Sequence, residues 1–332
     1  MKVPPEPMPR VTIVSPALAS ANNGNWHTAA RWRRFLAPVA EVTIASRWHE
    51  DDDADILIAL HALRSADSIA RWRQRRPAAP LVLVLTGTDL YRDLDVDPRA
   101  RHSVECASRV VVLQEAGLDR LDAATRAKAI VIVQSASALT LQRTPADPDF
   151  VVVGHLRGEK DPQTLMRAAR LLVDPRVSKA PTIAHIGAAL DPPLADAARA
   201  TMRDCPGYRW LGPLSHTAAR RAIASARALV HTSRMEVGAN VVIEAVRSGV
   251  PVLASDIDGN VGLLGGDYDG CFPVGDAAAL AALMRRFLAD DAFALHLAAQ
   301  CAGREPLFRP AAERNAVRAL VRDLVDPSTT RR

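Results

Sequence analysis

The sequence predicts an α/β protein of two tandem domains, each a parallel sheet with helices wound on both faces. Three observations carry that expectation. The chain has 332 residues, and a domain ordinarily takes about 100–200, so the length suits two domains with a core each. Short apolar, β-branched runs recur along it, each followed by a segment of helical period, the alternation that builds parallel sheets. The alternation breaks once, between Gln134 and Asp149, where Ser, Thr, Gln and Pro end in Thr144-Pro-Ala-Asp-Pro-Asp149, a composition of turns.

Taken in order, the first half reads as strands at Val11 to Ser15, Val42 to Ser46, Ile56 to Leu60, Leu81 to Leu85, Val110 to Leu113 and Ile130 to Val133. Helices such as His27 to Leu36 and Ser65 to Arg73 lie between most of them. After the break, strands are expected at Val151 to Val153, Thr182 to Ile186, Tyr208 to Leu211, Ala228 to His231 and Val252 to Ala254. Helices are expected at Gln163 to Val173, Leu194 to Arg203, His216 to Ala224 and Val241 to Ser248. The closing helices are Ala277 to Leu288, Ala292 to Ala302 and Pro310 to Leu324; the last can return to the first domain, and Asp326 to Arg332 reads as a frayed tail. The expected division is 1–147, 148–308 and a closing segment 309–332, with two Rossmann-like domains facing a cleft. Open α/β sheets bind ligands outside the carboxyl ends of their strands, and facing domains make a cleft. The residues just after each strand are therefore the ones to inspect.

Composition narrows the classes. Hydrophobic residues make up 48% and charged residues 24%, close to ordinary soluble domains, which sets aside wholesale disorder, a collagen-like chain and a membrane bundle. The 42 basic residues exceed the 37 acidic ones by five, but only Lys2, Lys128, Lys160 and Lys179 are lysines, leaving 38 arginines. With abundant alanine this reads as a codon-composition bias. Nucleic-acid binding would want basic residues clustered on one face beside aromatic platforms, and aromatics are only 4%, so no nucleic-acid partner is expected. Arg31, Arg33 and Arg34, and likewise Arg71, Arg73, Arg75 and Arg76, are expected on exposed helix faces. A lysine at a particular place in so arginine-biased a chain stands out. Cys106, Cys205, Cys271 and Cys301 are scattered without CxxC pairs, so neither a disulfide scaffold nor a zinc site is expected. Met1 to Arg10 has no apolar core of a signal peptide and no run approaches 18 apolar residues. A cytoplasmic protein with no membrane insertion is the expectation.

The most informative stretch runs from His231 through Glu236, Gly238, Ala239, Asn240 and Glu244 to Gly249-Val-Pro251-Val. A strand ends at His231, a loop carries Glu236, and a helix begins near Asn240, a good N-cap residue. Gly238 and Ala239 are small enough to let the free N–H groups of the helix start approach a phosphate. Acids beside a phosphate would repel it, so Glu236 and Glu244 suit hydrogen bonds from sugar hydroxyls. These residues resemble the E-x7-E motif of GT-B glycosyltransferases of the retaining family 4 class, and Gly249-Val-Pro-Val resembles that family's G-x-P-V; the similarity covers most of the chain. The resemblance implies that Glu236 contacts the donor sugar and Glu244 the nucleotide ribose.

Gly154-His-Leu-Arg157-Gly-Glu-Lys160 resembles the segment whose Arg and Lys clamp the donor diphosphate in that family. Fixed cations aimed at the departing nucleotide stabilise its growing charge; Arg forks onto two oxygens and Lys acts as a point charge. Leu211-Gly212-Pro-Leu-Ser215 matches the loop that holds the nucleobase through backbone groups, so Gly212 and Ser215 join the expected donor contacts. In the first half, Asn22, Asn23, Gly24 and Asn25 open the first helix and offer N–H donors to an anion or sugar. His61 follows one strand, and Thr86-Gly-Thr88-Asp89, which resembles the family's H-G-x-D with threonine for histidine, follows the next. Asp51-Asp52-Asp53 resembles the metal-binding D-x-D of the other glycosyltransferase fold, but it precedes a strand and is expected as a solvated loop; no metal and no cofactor is expected.

The acceptor side is read from Asn22, Asn23, Gly24, Asn25, His61, Thr86 and Thr88, donors suited to a small anion. The segments Asn-Gly-Asn-Trp-His-Thr-Ala-Ala-Arg-Trp, Leu-Thr-Gly-Thr-Asp-Leu-Tyr and Arg-Met-Glu-Val-Gly-Ala-Asn-Val are similar to those of the selenosugar synthases of bacterial selenoneine biosynthesis. That resemblance implies transfer from UDP-GlcNAc or UDP-glucose to selenophosphate, with loss of phosphate, and a downstream partner enzyme that consumes the selenosugar. Glu236, Asn25 and His61 are then the candidate catalytic residues. A hydroxyl acceptor, a UDP-sugar epimerase and a sugar-nucleotide sensor are the alternatives left open.

Overall fold

The structure is a computed structural model that describes residues 8–18, 24–173 and 180–325. They form two compact units, one reaching to Gln134 and resuming at Pro310, the other Ser135–Arg309.

The first unit holds β1 (Arg10–Val14), β2 (Glu41–Ala45), β3 (Ile56–Leu60), β4 (Leu81–Val84), β5 (Arg109–Val112) and β6 (Ala129–Val131). Its helices are α1 (Gly24–Leu36), α2 (Ala66–Arg75), α3 (Leu94–Val96), α4 (Pro98–Cys106), α5 (Ala123–Ala127) and, from the end of the chain, α13 (Pro310–Val325). All strands are parallel, in the order β2-β1-β3-β4-β5-β6. Every residue of β3 and β4 is buried, as expected of strands covered on both faces, which read as continuous apolar runs. Ala29, Trp32 and Leu36 of α1 are buried at helical spacing.

Glu313 of α13 is buried and accepts from Arg31 Nε (2.7 Å) and Trp32 Nε1 (2.8 Å). Arg31 is therefore buried, and the expectation that it sits on an exposed helix face is corrected. A lone buried guanidinium would be costly, and the carboxylate of α13 offsets that cost. Arg76 likewise leaves the exposed set: its guanidinium lies 5.2 Å from the Trp72 ring centroid and donates to the carbonyls of Ala54 and Asp52. Asp53, by contrast, stays exposed and pairs with Arg10 before β3, the position expected of a solvated loop.

The second unit holds β7 (Phe150–Val153), β8 (Ile183–Ile186), β9 (Tyr208–Trp210), β10 (Ala228–His231), β11 (Val252–Ser255) and β12 (Cys271–Phe272). Its helices are α6 (Pro162–Leu171), α7 (Pro192–Asp204), α8 (His216–Ser225), α9 (Asn240–Arg247), α10 (Asp258–Leu264), α11 (Ala277–Ala289) and α12 (Asp291–Arg304). The sheet is again parallel, in the order β12-β11-β10-β7-β8-β9. The chain order reverses between β7 and β10, and open α/β sheets form their ligand crevice outside the strand ends at such a point. In the first sheet the corresponding point lies between β1 and β3.

Between β6 and β7 no helix or strand forms, in the stretch where the sequence breaks. The structure adds α3, α4, α5, α10 and β12 to the elements expected. It also moves one cap: Ala239 holds the capping position of α9 and Asn240 is its first helical residue, so the expected Asn240 N-cap is corrected.

Candidate functional site

The ends of β7 and β10 bring one cluster together. Lys160, in the turn Gly158–Lys160 after β7, pairs through Nζ with Oε1 of Glu236, in the loop after β10. Ser233 Oγ donates to the same oxygen at 2.9 Å, and His231 Nε2 lies 3.7 Å from it. Burial pushes the Glu236 carboxyl up, but the Lys160 ammonium and the hydrogen bonds from Lys160 and Ser233 outweigh it and hold the group below the ordinary carboxylate range. Burial drives His231 down to about 4, so it is neutral, with Nδ1 donating to Asn260 Oδ1 at 3.1 Å. Asn260 donates in turn to the Ser255 carbonyl. The two loops are tied by Thr232 Oγ1 donating to the Lys160 carbonyl (2.8 Å) and by Arg234 Nη2 on Asp161 Oδ2 (3.1 Å).

Close backbone approaches fix these loops. A Cβ on Gly259 would stand 1.9 Å from the Glu236 carbonyl oxygen, and one on Gly187 would stand 2.0 Å from that of Gly154. Only glycine fits either place. Asp161 caps α6 from the left-handed region (φ 43°), accepting from Thr164 Oγ1 at 2.7 Å. Such a conformation is tolerated best by Gly, Asn and Asp, whose short polar side chains bond locally.

Glu244 lies one turn into α9 and is buried. His216 Nε2, at the start of α8, donates to its Oε1 at 2.6 Å, and Arg220 Nε lies 3.9 Å from the same atom. Ser215 caps α8 by accepting from Ala218 N at 3.2 Å. Gly212 takes φ 72° with open space where a Cβ would stand, and its carbonyl accepts from Gly187 N at 2.9 Å. Arg157 is half-exposed, 3.9 Å from Glu159. Thus the structure joins Lys160 to Glu236, places Glu244 with His216, and leaves Arg157 turned to solvent. Gly238 and Ala239 lead into the first turn of α9 as read from the sequence, with Ala239 buried.

In the first unit, His61 follows β3 and adopts the left-handed region (φ 74°) while buried, a strained arrangement that persists only when its surroundings impose it. Its Nε2 lies 3.4 Å from Thr88 Oγ1 and 3.8 Å from Asp93 Oδ2, and its Nδ1 3.9 Å from Asp89 Oδ2. Burial, the largest influence, lowers its pKa against the raising effect of Asp89. Asp89 itself organises the loop, accepting from the backbone N–H groups of Ala62, Thr86 and Gly87. The Thr86 hydroxyl oxygen is buried with no hydrogen-bond partner among the described residues. Gly24 and Asn25 open α1; Asn22 and Asn23 lie outside the described residues.

His216, Ser233, Asp93, Gly187 and Gly259 were not singled out as site residues by sequence reasoning. His216 and Arg220 carried a usable signal: they are four apart on α8 and so share a face. Among the described residues no group of three or more His, Cys, Asp and Glu is placed to hold a metal ion, and no helix is long and apolar enough to cross a membrane.

Residues 147–290 match the family described as glycosyl transferases group 1. No curated protein sequence matches the chain. Among solved structures, a sucrose-phosphate synthase from Thermosynechococcus elongatus is similar at a TM-score of 0.76 and 18% identity, over 96% of this chain and 99% of that one. HepE from Anabaena, in complex with UDP-glucose, is similar at 0.73 and 15%, over 94% and 99%. The lipopolysaccharide outer core galactosyltransferase WaaB is similar at 0.66 and 14%, over 94% and 99%. These likenesses span both units and agree with the two six-stranded parallel sheets. The chain has the GT-B fold, and residues 147–290, within its second unit, match the glycosyl transferases group 1 family.

Proposed function

We propose that the protein transfers a glycosyl group from a UDP-sugar to selenophosphate, and that Glu236 and Glu244 read the sugar and the nucleotide ribose as in the retaining family 4 class that the sequence resembles. The observation that carries the donor half is the pair of carboxylates eight residues apart, one fixed on Lys160 and the other on His216, at the ends of the central strands of the second sheet. Structures of HepE with UDP and with UDP-glucose are among the similar folds, which supports UDP as the nucleotide. Lys160 and Arg157 supply positive charge for the departing diphosphate.

The acceptor half rests on the likeness of three segments to selenosugar synthases and on the donors near Gly24, Asn25, His61, Thr86 and Thr88. In this reading selenium bonds to the anomeric carbon while the bond from that carbon to the UDP oxygen breaks and UDP leaves with the electron pair. Water then cleaves the Se–P bond, releasing phosphate and the selenosugar, which a downstream enzyme would consume. Selenophosphate is already anionic near neutral pH, so it needs no general base. A hydroxyl acceptor would need one, and the neutral His61 beside Asp89 and Asp93 is the observation that favours this second reading.

Purified protein given UDP-GlcNAc or UDP-glucose, with and without selenophosphate, tests the proposal. UDP release that requires selenophosphate supports it. Release with a hydroxyl acceptor alone, abolished by His61→Asn, supports the second reading and overturns the first.

A further inference from the structure

Glu244 can discriminate a ribose only if its carboxylate is held in one orientation, and α9 itself offers nothing to hold it. Its neighbours Val242, Ile243, Ala245 and Val246 are buried and apolar. The support comes from α8. His216 Nε2 donates to Glu244 Oε1 at 2.6 Å, and Arg220, one turn along the same face, sets its Nε 3.9 Å from that atom. Arg220 Nε is buried and makes no hydrogen bond among the described residues, while Nη2 of the same guanidinium donates to the Ser137 carbonyl. The cation is thus anchored at one end and acts on Glu244 through charge alone. Glu244 Oε2 takes no hydrogen bond from the described residues. One oxygen is pinned and the other is left to accept from a ligand hydroxyl.

We propose that His216, backed by the charge of Arg220, is a positioning residue that fixes Glu244 for a nucleotide ribose. This rests on the donor reading above. The consequence is selectivity: a pinned acceptor rewards a ribose hydroxyl and leaves a buried lone pair unmatched when the hydroxyl is missing. The loop Leu211–Ser215 leads directly into His216, so the segment expected to touch the base also delivers the residue that orients the ribose acceptor.

Calorimetric titration with UDP and with 2′,3′-dideoxy-UDP tests this on the intact chain. Wild type is expected to bind UDP about tenfold or more tightly than the dideoxy form. In His216→Ala that ratio should fall to about threefold or less, and in Glu244→Ala to about one. His216→Gln places an amide N–H where the imidazole N–H stood and should restore the ratio, whereas His216→Asn, too short to reach, should not. A purely structural role for His216 would weaken both ligands equally and leave the ratio unchanged, and that result overturns the inference. His216 is partly exposed at a helix start, and the Gln and Asn variants read the same question if the Ala variant is unstable. Absence of UDP binding by the wild type would instead sink the donor reading itself and the inference with it.

Discussion

At the scale of single residues, the Lys160–Glu236 pair decides most about the proposed donor site. Both side chains are largely withdrawn from water, so neither charge is cheap without the other. Removing one partner should cost about 3 kcal/mol of stability by leaving the other buried and unpaired. Removing both, as Lys160→Met with Glu236→Leu, should cost less than the two singles added. Urea denaturation of the four proteins measures the coupling, and additivity within about 0.5 kcal/mol would show that the ion pair contributes nothing. Gly259 makes a separate prediction. A methyl there meets the Glu236 carbonyl oxygen at 1.9 Å, so the loop must move. Gly259→Ala should lower UDP-sugar turnover more than tenfold, since a displacement of about 1 Å can cost 100-fold, at a stability loss of about 1–3 kcal/mol. Unchanged kinetics would mean that the loop position does not matter to the donor.

At the scale of elements, α1 and α13 show how a helix can be held by one buried carboxylate. Glu313 receives Arg31 and Trp32 together, so Glu313→Ala strands a buried guanidinium and should cost about 3–5 kcal/mol in chemical denaturation. Glu313→Gln keeps an acceptor for Trp32 and should cost less; equal losses would assign the whole effect to packing. The elements themselves were largely legible in the sequence, because β3 and β4 are continuous apolar runs, β10 and β11 each open on three apolar residues, and α1, α6 and α9 carry buried residues at helical spacing. What escaped had a physical reason. Strand β12 is two residues long and has no period to read, and α10 contains Gly259 and Gly262 within seven residues. The burial of Arg31 depends on a partner 282 positions away. In the site, Glu236, Glu244 and Lys160 stood out by type and spacing, whereas the pairing of Lys160 with Glu236 and of His216 with Glu244 required the sheet order to be known.

At the scale of the whole molecule, the buried histidines set its response to acid. His185 and His231 are each driven down to about 4 by burial, against an ordinary value of 6.5. His185 Nδ1 sits 2.8 Å from the Tyr208 hydroxyl and its Nε2 lies 3.2 Å from the Gly154 carbonyl. Both rings are therefore neutral in the fold. His61 and His155 are shifted in the same direction, again mainly by burial. A histidine with a lowered folded pKa binds its proton more readily when unfolded, so its contribution is complete above about 6.5 and is lost as pH falls from there toward 4. For His185 and His231 the loss by pH 5 comes to about 2 kcal/mol each. Glu236 acts in a lower window: its folded pKa is depressed, so its contribution is present above its unfolded value of 4.5 and is lost as pH falls through the folded value. Stability should therefore fall in two limbs, the first set by histidines and the second by this carboxylate. Urea titrations from pH 7.5 to about 2.5, followed by circular dichroism, separate them. His231→Asn should flatten the first limb by about 1.4 kcal/mol per pH unit at most. A first limb of the same slope in that variant would show that His231 is not held neutral by the fold.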